Sequence, residues 1–325
     1  MSFGHATHFL GCDWGTSSFR LRLVKCDGLA VLAEEASAEG TAATAGLWQK
    51  TAQPPERRID FYRAVVRNHL DRLAASSKFP LAGVPVVMSG MASSTLGMEE
   101  LPYKPMPFAI DGSDLHTKVI PPSADFAHPI LLISGACSED DVMRGEETQL
   151  VGCRFETTAQ EQLFLHPGTH AKHVVVQNGL ARRLKTYMTG EFFSLLSSQS
   201  ILANSIEKGG ALEDEHHRRW FDKGVLTGRQ GDLLHSAFSV RTNDLFNKAS
   251  RQENGFYLSG LLIGAECREL CDRLPSSIML AGEAALVAHY AAALQALGIA
   301  EHCPVLVKSA EQVTLQGQLA VMRRH

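Results

Sequence analysis

Apolar positions follow two regimes along the chain. Short runs ending in glycine mark the opening stretch and recur after a polar gap, whereas helical spacing dominates beyond Met188. His8 to Asp13 is mostly apolar and predicts a buried strand. After a Gly-Thr-Ser-Ser turn, Phe19, Leu21 and Leu23 alternate with Arg20, Arg22 and Val24, largely the period of a half-covered strand. Asp27-Gly28 signals a hairpin into a third strand, LAVLAEE. EGTAATAG then reads as a loop, while Ile59, Tyr62, Val66, Leu70 and Leu73 predict a helix over 56–77. PVVMSG and PILLISG read as buried strands, and the prolines of LPYKPMPF require extended chain between them. The acidic loop SEDD leads into a helix expected over 142–151.

The polar stretch TTAQEQ, residues 157–162, is the expected domain boundary. Beyond it the opening pattern partly repeats. QLFLHPGTHAK is a strand ending in Gly-Thr, HVVVQ a second strand, and Asn178-Gly179 turns into LARRLKTYM. GEFFSLLSSQSIL, FYLSGLLIGAECRELCDRL and EAALVAHYAAALQALG are helical, with SSIMLAG a strand that reaches the last of them through Gly282. The expectation is an α/β protein of two related domains, 1–156 and 157–325, with the last helix free to pack back on the first.

Composition narrows the function. Thirty-one basic against 35 acidic residues give a net charge of −4, which argues against nucleic acid as a partner. The short HHRR cluster at 216–219 reads as a solvated face. Seven cysteines, odd in number and scattered, fit a reducing cytoplasmic compartment and no zinc site. The N-terminal residues lack a basic start before a long apolar stretch, and no apolar run approaches the roughly 20 residues of a membrane helix, so no membrane partner is expected. Oligomeric state is not readable; a homodimer is one option.

The two glycine turns carry the chemistry. A hairpin lined by glycine and hydroxyls exposes main-chain N–H groups as a concave anion site. An aspartate at a strand end holds hydrated Mg²⁺ through the ion's water shell. Asp13 is therefore the candidate for Mg²⁺, and Gly15, Thr16 and Ser17 for phosphate; a tight hairpin with capping hydroxyls is the plain alternative. The second turn repeats the arrangement with Gly168 and Thr169, Lys172 lying just beyond. Gly282, at a strand end before a helix, leaves room for a flat adenine against the backbone. Neither a dinucleotide fingerprint nor a Walker A sequence is apparent.

Phosphate hairpin, acidic loop and helix, phosphate hairpin and glycine loop, in that order, resemble the ATPase superfamily of actin, hexokinase and the heat-shock chaperones. DWGTSSFR, SGMASSTLGMEELPY, DVMRGEETQLVG, PGTHAKHV, MTGEFFSLLSSQSIL and YLSGLLIGAE are more closely similar to the blocks of the 2-dehydro-3-deoxygalactonokinase family of sugar-acid kinases, and span most of the chain. The resemblance implies two actin-like (ribonuclease H-like) domains with mixed sheets flanked by helices and an ATP cleft between them. It also implies ATP-dependent phosphorylation of 2-dehydro-3-deoxy-D-galactonate at O6, with Mg²⁺, in galactonate or galactose catabolism. The second turn has His166 and Pro167 where the wider superfamily often has an aspartate, and Glu283 follows the adenine-loop glycine.

On that resemblance the base or orienting carboxylate is expected at Asp141, with Glu146 and Glu147 close behind it, and each could instead cap a helix. Arg20 and Arg144 are candidates for the sugar-acid carboxylate, Arg144 alternatively pairing with Glu147 or Asp141. Ser93 and Ser94 are candidates for substrate hydroxyls, and His170 and Lys172 for the terminal phosphates. Rival readings are a kinase of the gluconate epimer, an exopolyphosphatase-like hydrolase using water, and a sugar sensor that has lost catalysis.

Overall fold

A computed structural model describes residues 3–77 and 79–325. The chain forms two compact units. The first takes in the chain up to Thr157 together with Gly179–Leu184 and Ala310–His325; the second comprises Thr158–Asn178 and Lys185–Ser309. Among the described residues no helix is long and apolar enough to cross a membrane.

In the first unit the chain runs β1 (His8–Trp14), β2 (Phe19–Lys25), β3 (Val31–Ser37), α1 (Thr41–Thr51), α2 (Arg58–Ser76) and β4 (Val86–Gly90). It continues through the short strands β5 (Lys104–Pro105) and β6 (Phe108–Ala109), then β7 (Thr117–Ile120), β8 (Ile130–Ile133), β9 (Ala136–Cys137), β10 (Val142–Met143) and α3 (Glu146–Cys153). Strands β1 to β3 are antiparallel neighbours, β4 lies parallel to β1, and the sheet order is β3-β2-β1-β4-β8-β7. Alternation along β1 sends Leu10, Cys12 and Trp14 into a core with Tyr62, Val66, Leu70 and Leu73 of α2. The opposite face, carrying Gly11, meets Leu315 and Gln318 of the C-terminal helix Ala310–Met322. Gln318 Nε2 donates to Cys12 O and to Ser89 Oγ, both at 2.9 Å, and so ties that helix across β1 and β4.

Two expectations fail here. EGTAATAG is not a loop: Thr41–Thr51 is α1. Low hydrophobic contrast hid the helix, since only Thr41, Thr44 and Ala45 of it are buried. The helix expected over 142–151 is displaced: Val142–Met143 pair with β9 as a small hairpin, and α3 begins at Glu146 after Gly145, whose φ of 109° is accessible to glycine.

The second unit begins with β11 (Gln162–His166), β12 (Ala171–Gln177) and β13 (Leu180–Tyr187), the first residues of β13 belonging to the first unit. Asn178 and Gly179 both have positive φ, 53° and 71°, as a two-residue hairpin turn requires. Then come α4 (Thr189–Gln199), α5 (Glu215–Arg229), α6 (Leu233–Leu245), α7 (Arg251–Glu266), α8 (Arg268–Asp272), β14 (Ile278–Gly282), α9 (Ala284–Ala296) and β15 (Val305–Ser309). As in the first unit, an antiparallel hairpin is extended by a parallel strand: β14 runs parallel to β11, and β15 to β14. Helices α5 and α7 touch backbone to backbone. A Cβ on Gly224 would lie 2.2 Å from Tyr257 O, and one on Gly260 would lie 2.1 Å from Phe221 O. Each mixed sheet is thus flanked by helices.

Candidate functional site

The first glycine turn is braced from behind by α1. Gly15 N–H donates to Ser18 O, closing the turn, while Thr41 N–H donates to Gly15 O and Ala42 N–H to Thr16 O. Gly40 makes this approach feasible, because a Cβ there would sit 2.3 Å from Thr16 O. Thr16 and Ser17 stay exposed at the tip. Asp13 is half-buried at the end of β1, across from Arg20 on β2 and Ser89 on β4. Burial raises its carboxyl above the usual carboxylate range, Arg20 and Arg22 oppose that rise, and Glu146 adds to it.

Glu146, at the start of α3, is thus the acidic residue whose charge reaches Asp13. Its carboxylate also accepts from Arg144 N–H at 2.9 Å. Glu147 is fully buried. It accepts from Gly145 N–H at 2.7 Å and from the Thr148 hydroxyl at 2.9 Å, and desolvation, reinforced by Glu146, pushes its carboxyl up to about 8. Asp141 lies in the β9–β10 turn, where its N–H donates to Ser138 Oγ and its carbonyl accepts from Ser138 N–H.

Arg144 and the two serines are engaged by their own chain. Arg144 Nη1 donates to Ser93 O at 2.6 Å and Ser93 Oγ at 2.5 Å, Nη2 reaches Leu101 O at 3.5 Å, and the guanidinium lies 4.2 Å above the Tyr103 ring. Ser94 Oγ donates to Met91 O and accepts from Leu96 N–H. These groups shape the loop after β4.

The second turn has the same backing. Gly190, in the first turn of α4, packs so closely that a Cβ would lie 2.5 Å from Gly168 O, and Glu191 N–H donates to Thr169 O. His170 Nε2 meets Glu191 Oε2 at 2.5 Å on the exposed rim. Lys172 points elsewhere: its side chain is buried on β12 and donates to the Thr186 hydroxyl at 3.0 Å. Next to the turn, a cavity of about 330 Å³ extends from Gly168, Thr189 and Gly190 to Phe256 and His289. Phe256 is stacked by the His217 ring at 4.5 Å and lies parallel to His289 at 6.1 Å. A loop containing Gly209 and Gly210, with φ of 117° and 91°, forms another wall, and His217 Nδ1 bonds Ala211 O to fasten it. The cavity surface is mostly apolar.

A model of the 2-keto-3-deoxy-galactonokinase family matches residues 13–321. The chain belongs to that family. A relative from Rhizobium meliloti (strain 1021), assigned as a 2-dehydro-3-deoxygalactonokinase, is 31% identical over 307 residues, covering 90% of this chain and 91% of its own. The 2-dehydro-3-deoxygalactonokinase of Escherichia coli (strain K12) is 34% identical over 223 residues, 66% of this chain and 71% of that one. The crystal structure of a Sinorhizobium meliloti protein assigned to the same activity superimposes with a TM-score of 0.79 at 29% identity, covering 97% of this chain and 96% of that one.

In this 2-keto-3-deoxy-galactonokinase family member, Asp13 pairs across the sheet with Arg20 and feels the charge of Glu146, while Gly168, Thr169 and His170 form the second turn. Gly282 packs against Pro167, 3.3 Å from where its Cβ would be, and the cavity wall nearby is Leu286, His289 and Tyr290 of α9. Gly209, Gly210, Gln252, Gly255 and Ser259 of the cavity were missed from sequence. The glycine pair in Lys208-Gly209-Gly210 was the one available signal, since adjacent glycines mark backbone that side chains cannot follow.

Proposed function

We propose that the protein transfers the γ-phosphoryl group of ATP to the 6-hydroxyl of 2-dehydro-3-deoxy-D-galactonate, as a cytoplasmic enzyme of sugar-acid breakdown. The observation that carries this reading is the family match across residues 13–321, which spans both glycine turns. The cavity of the second unit, about 330 Å³ and mostly apolar, suits a nucleoside base, with the phosphates toward Gly168 and the start of α4. His170 would reach the phosphates only by leaving Glu191. Lys172 has a bracing role in this reading.

In the first unit, the main-chain N–H groups and hydroxyls of Thr16 and Ser17 serve phosphate, at the tip of the turn that Gly15 closes. Asp13 and Glu146 offer hard carboxylate oxygens at a half-buried strand end, a donor set that fits Mg²⁺. Asp13 would hold the ion, which when bound supplies charge neutralisation for the phosphates. Glu146 orients the acceptor hydroxyl and takes its proton as the oxygen–phosphorus bond forms and the bond to the ADP oxygen breaks. Arg20, exposed opposite Asp13, is assigned to the sugar-acid carboxylate because Arg144 is committed to Ser93.

The test is ADP formation from Mg²⁺-ATP with 2-dehydro-3-deoxygalactonate, its gluconate epimer, hexoses and water. Preference for the galactonate acid supports the reading. Equal ADP release in water alone would replace it with a hydrolase.

A further inference from the structure

Beneath the second turn, one buried carboxylate joins four elements. Glu266, at the end of α7, has a side chain only 1% exposed. Its Oε1 faces His173 Nε2 of β12 at 2.8 Å. Its Oε2 accepts from the Tyr290 hydroxyl of α9 at 2.6 Å and from the Thr189 hydroxyl at the first residue of α4. A carboxylate offers only acceptors, so all three neighbours act as donors.

Two of the donors are walls of the cavity: Thr189 and Tyr290 both line it, Glu266 does not. Thr189 matters further because the next two residues, Gly190 and Glu191, are those that pack against and bond the Gly168-Thr169 turn. We propose that Glu266 is a positioning residue of the nucleotide site, holding the start of α4 and the Tyr290 side chain so that the second turn and the cavity keep one shape. The inference rests on the nucleotide reading given above. A carboxamide oxygen that keeps both hydroxyls turns its N–H₂ onto His173, and the reverse orientation turns it onto the hydroxyls, so the change disturbs the tie at one end or the other. The consequence falls on nucleotide, because the tie ends at the turn and cavity of this unit.

The experiment measures MgADP binding by titration calorimetry on the full chain, together with the KM for the sugar acid. Glu266→Gln and Thr189→Val are each expected to weaken ADP by about tenfold, the scale of one lost hydrogen bond. The sugar-acid KM should stay within about twofold, and Thr189→Ser, which keeps the hydroxyl, should bind ADP like the parent. If Glu266→Gln does not fold, the Thr189→Val and Thr189→Ser pair decides alone. ADP affinities in Thr189→Val indistinguishable from the parent, or equal losses for both substrates, would overturn the inference. A parent protein that binds no ADP would instead overturn the nucleotide reading, and this inference with it.

Discussion

Arg144 Nη1 donates to both oxygens of Ser93, while the guanidinium plane lies 4.2 Å from the Tyr103 ring centre. A cation expected to receive substrate is thus bonded to the loop after β4. Arg144→Ala should cost about 2–3 kcal/mol of unfolding free energy, from charged hydrogen bonds that leave acceptors unpaired. Arg144→Lys should recover little, because an ammonium cannot fork and stack together. Denaturant titration checks this. Unchanged stability with only the sugar-acid KM raised would return Arg144 to substrate binding.

Glu147 gives a pH signature. Its carboxyl is raised from an ordinary 4.5 to about 8, so between those values the folded protein holds a proton that the unfolded chain has released. Stability from this group is intact below about pH 4.5, falls as pH rises toward 8, and is lost above it, a total of a few kcal/mol. Glu147→Gln should flatten that fall and be more stable than the parent above pH 8. Chemical denaturation at pH 5, 6.5 and 8.5 tests it; parallel curves for the two proteins would contradict it.

Asp13 and Glu146 are expected to fail together. Asp13→Asn and Glu146→Gln should each lower kcat about 100-fold or more while ADP still binds. Since Glu146 raises the Asp13 carboxyl, the double variant should lose less than the product of the single losses. Steady-state rates for the three variants are the check, and full additivity would separate the two residues.

The α5–α7 contact predicts a stability effect without chemistry. Gly260→Ala places a methyl 2.1 Å from Phe221 O, so the helices must part, at a cost of about 1–3 kcal/mol or more. A melting temperature equal to the parent's would show that the helices separate freely.

Strands β1, β2, β4, β8, β11 and β12 were legible because each combines an apolar run or alternation with a glycine or Asx-Gly stop. The turns they present, with Asp13 and Gly168, were legible for the same reason. α1 was not, since a run of small residues carries no periodic contrast. Nor was the start of α3, which depends on Gly145 taking a positive φ after a two-residue strand. Residues with long polar side chains were the hardest to place: Lys172 and Arg144 look in sequence like ligands for anions, and only tertiary structure shows them bonded to Thr186 and Ser93.

The central claim is phosphoryl transfer to one sugar-acid hydroxyl, and phosphorus NMR of the products tests it most directly. With ATP, Mg²⁺ and 2-dehydro-3-deoxygalactonate, the account predicts ADP and a single phosphate monoester on C6 in equal amounts. Inorganic phosphate in place of the ester, or an ester formed only from the gluconate epimer, would contradict it.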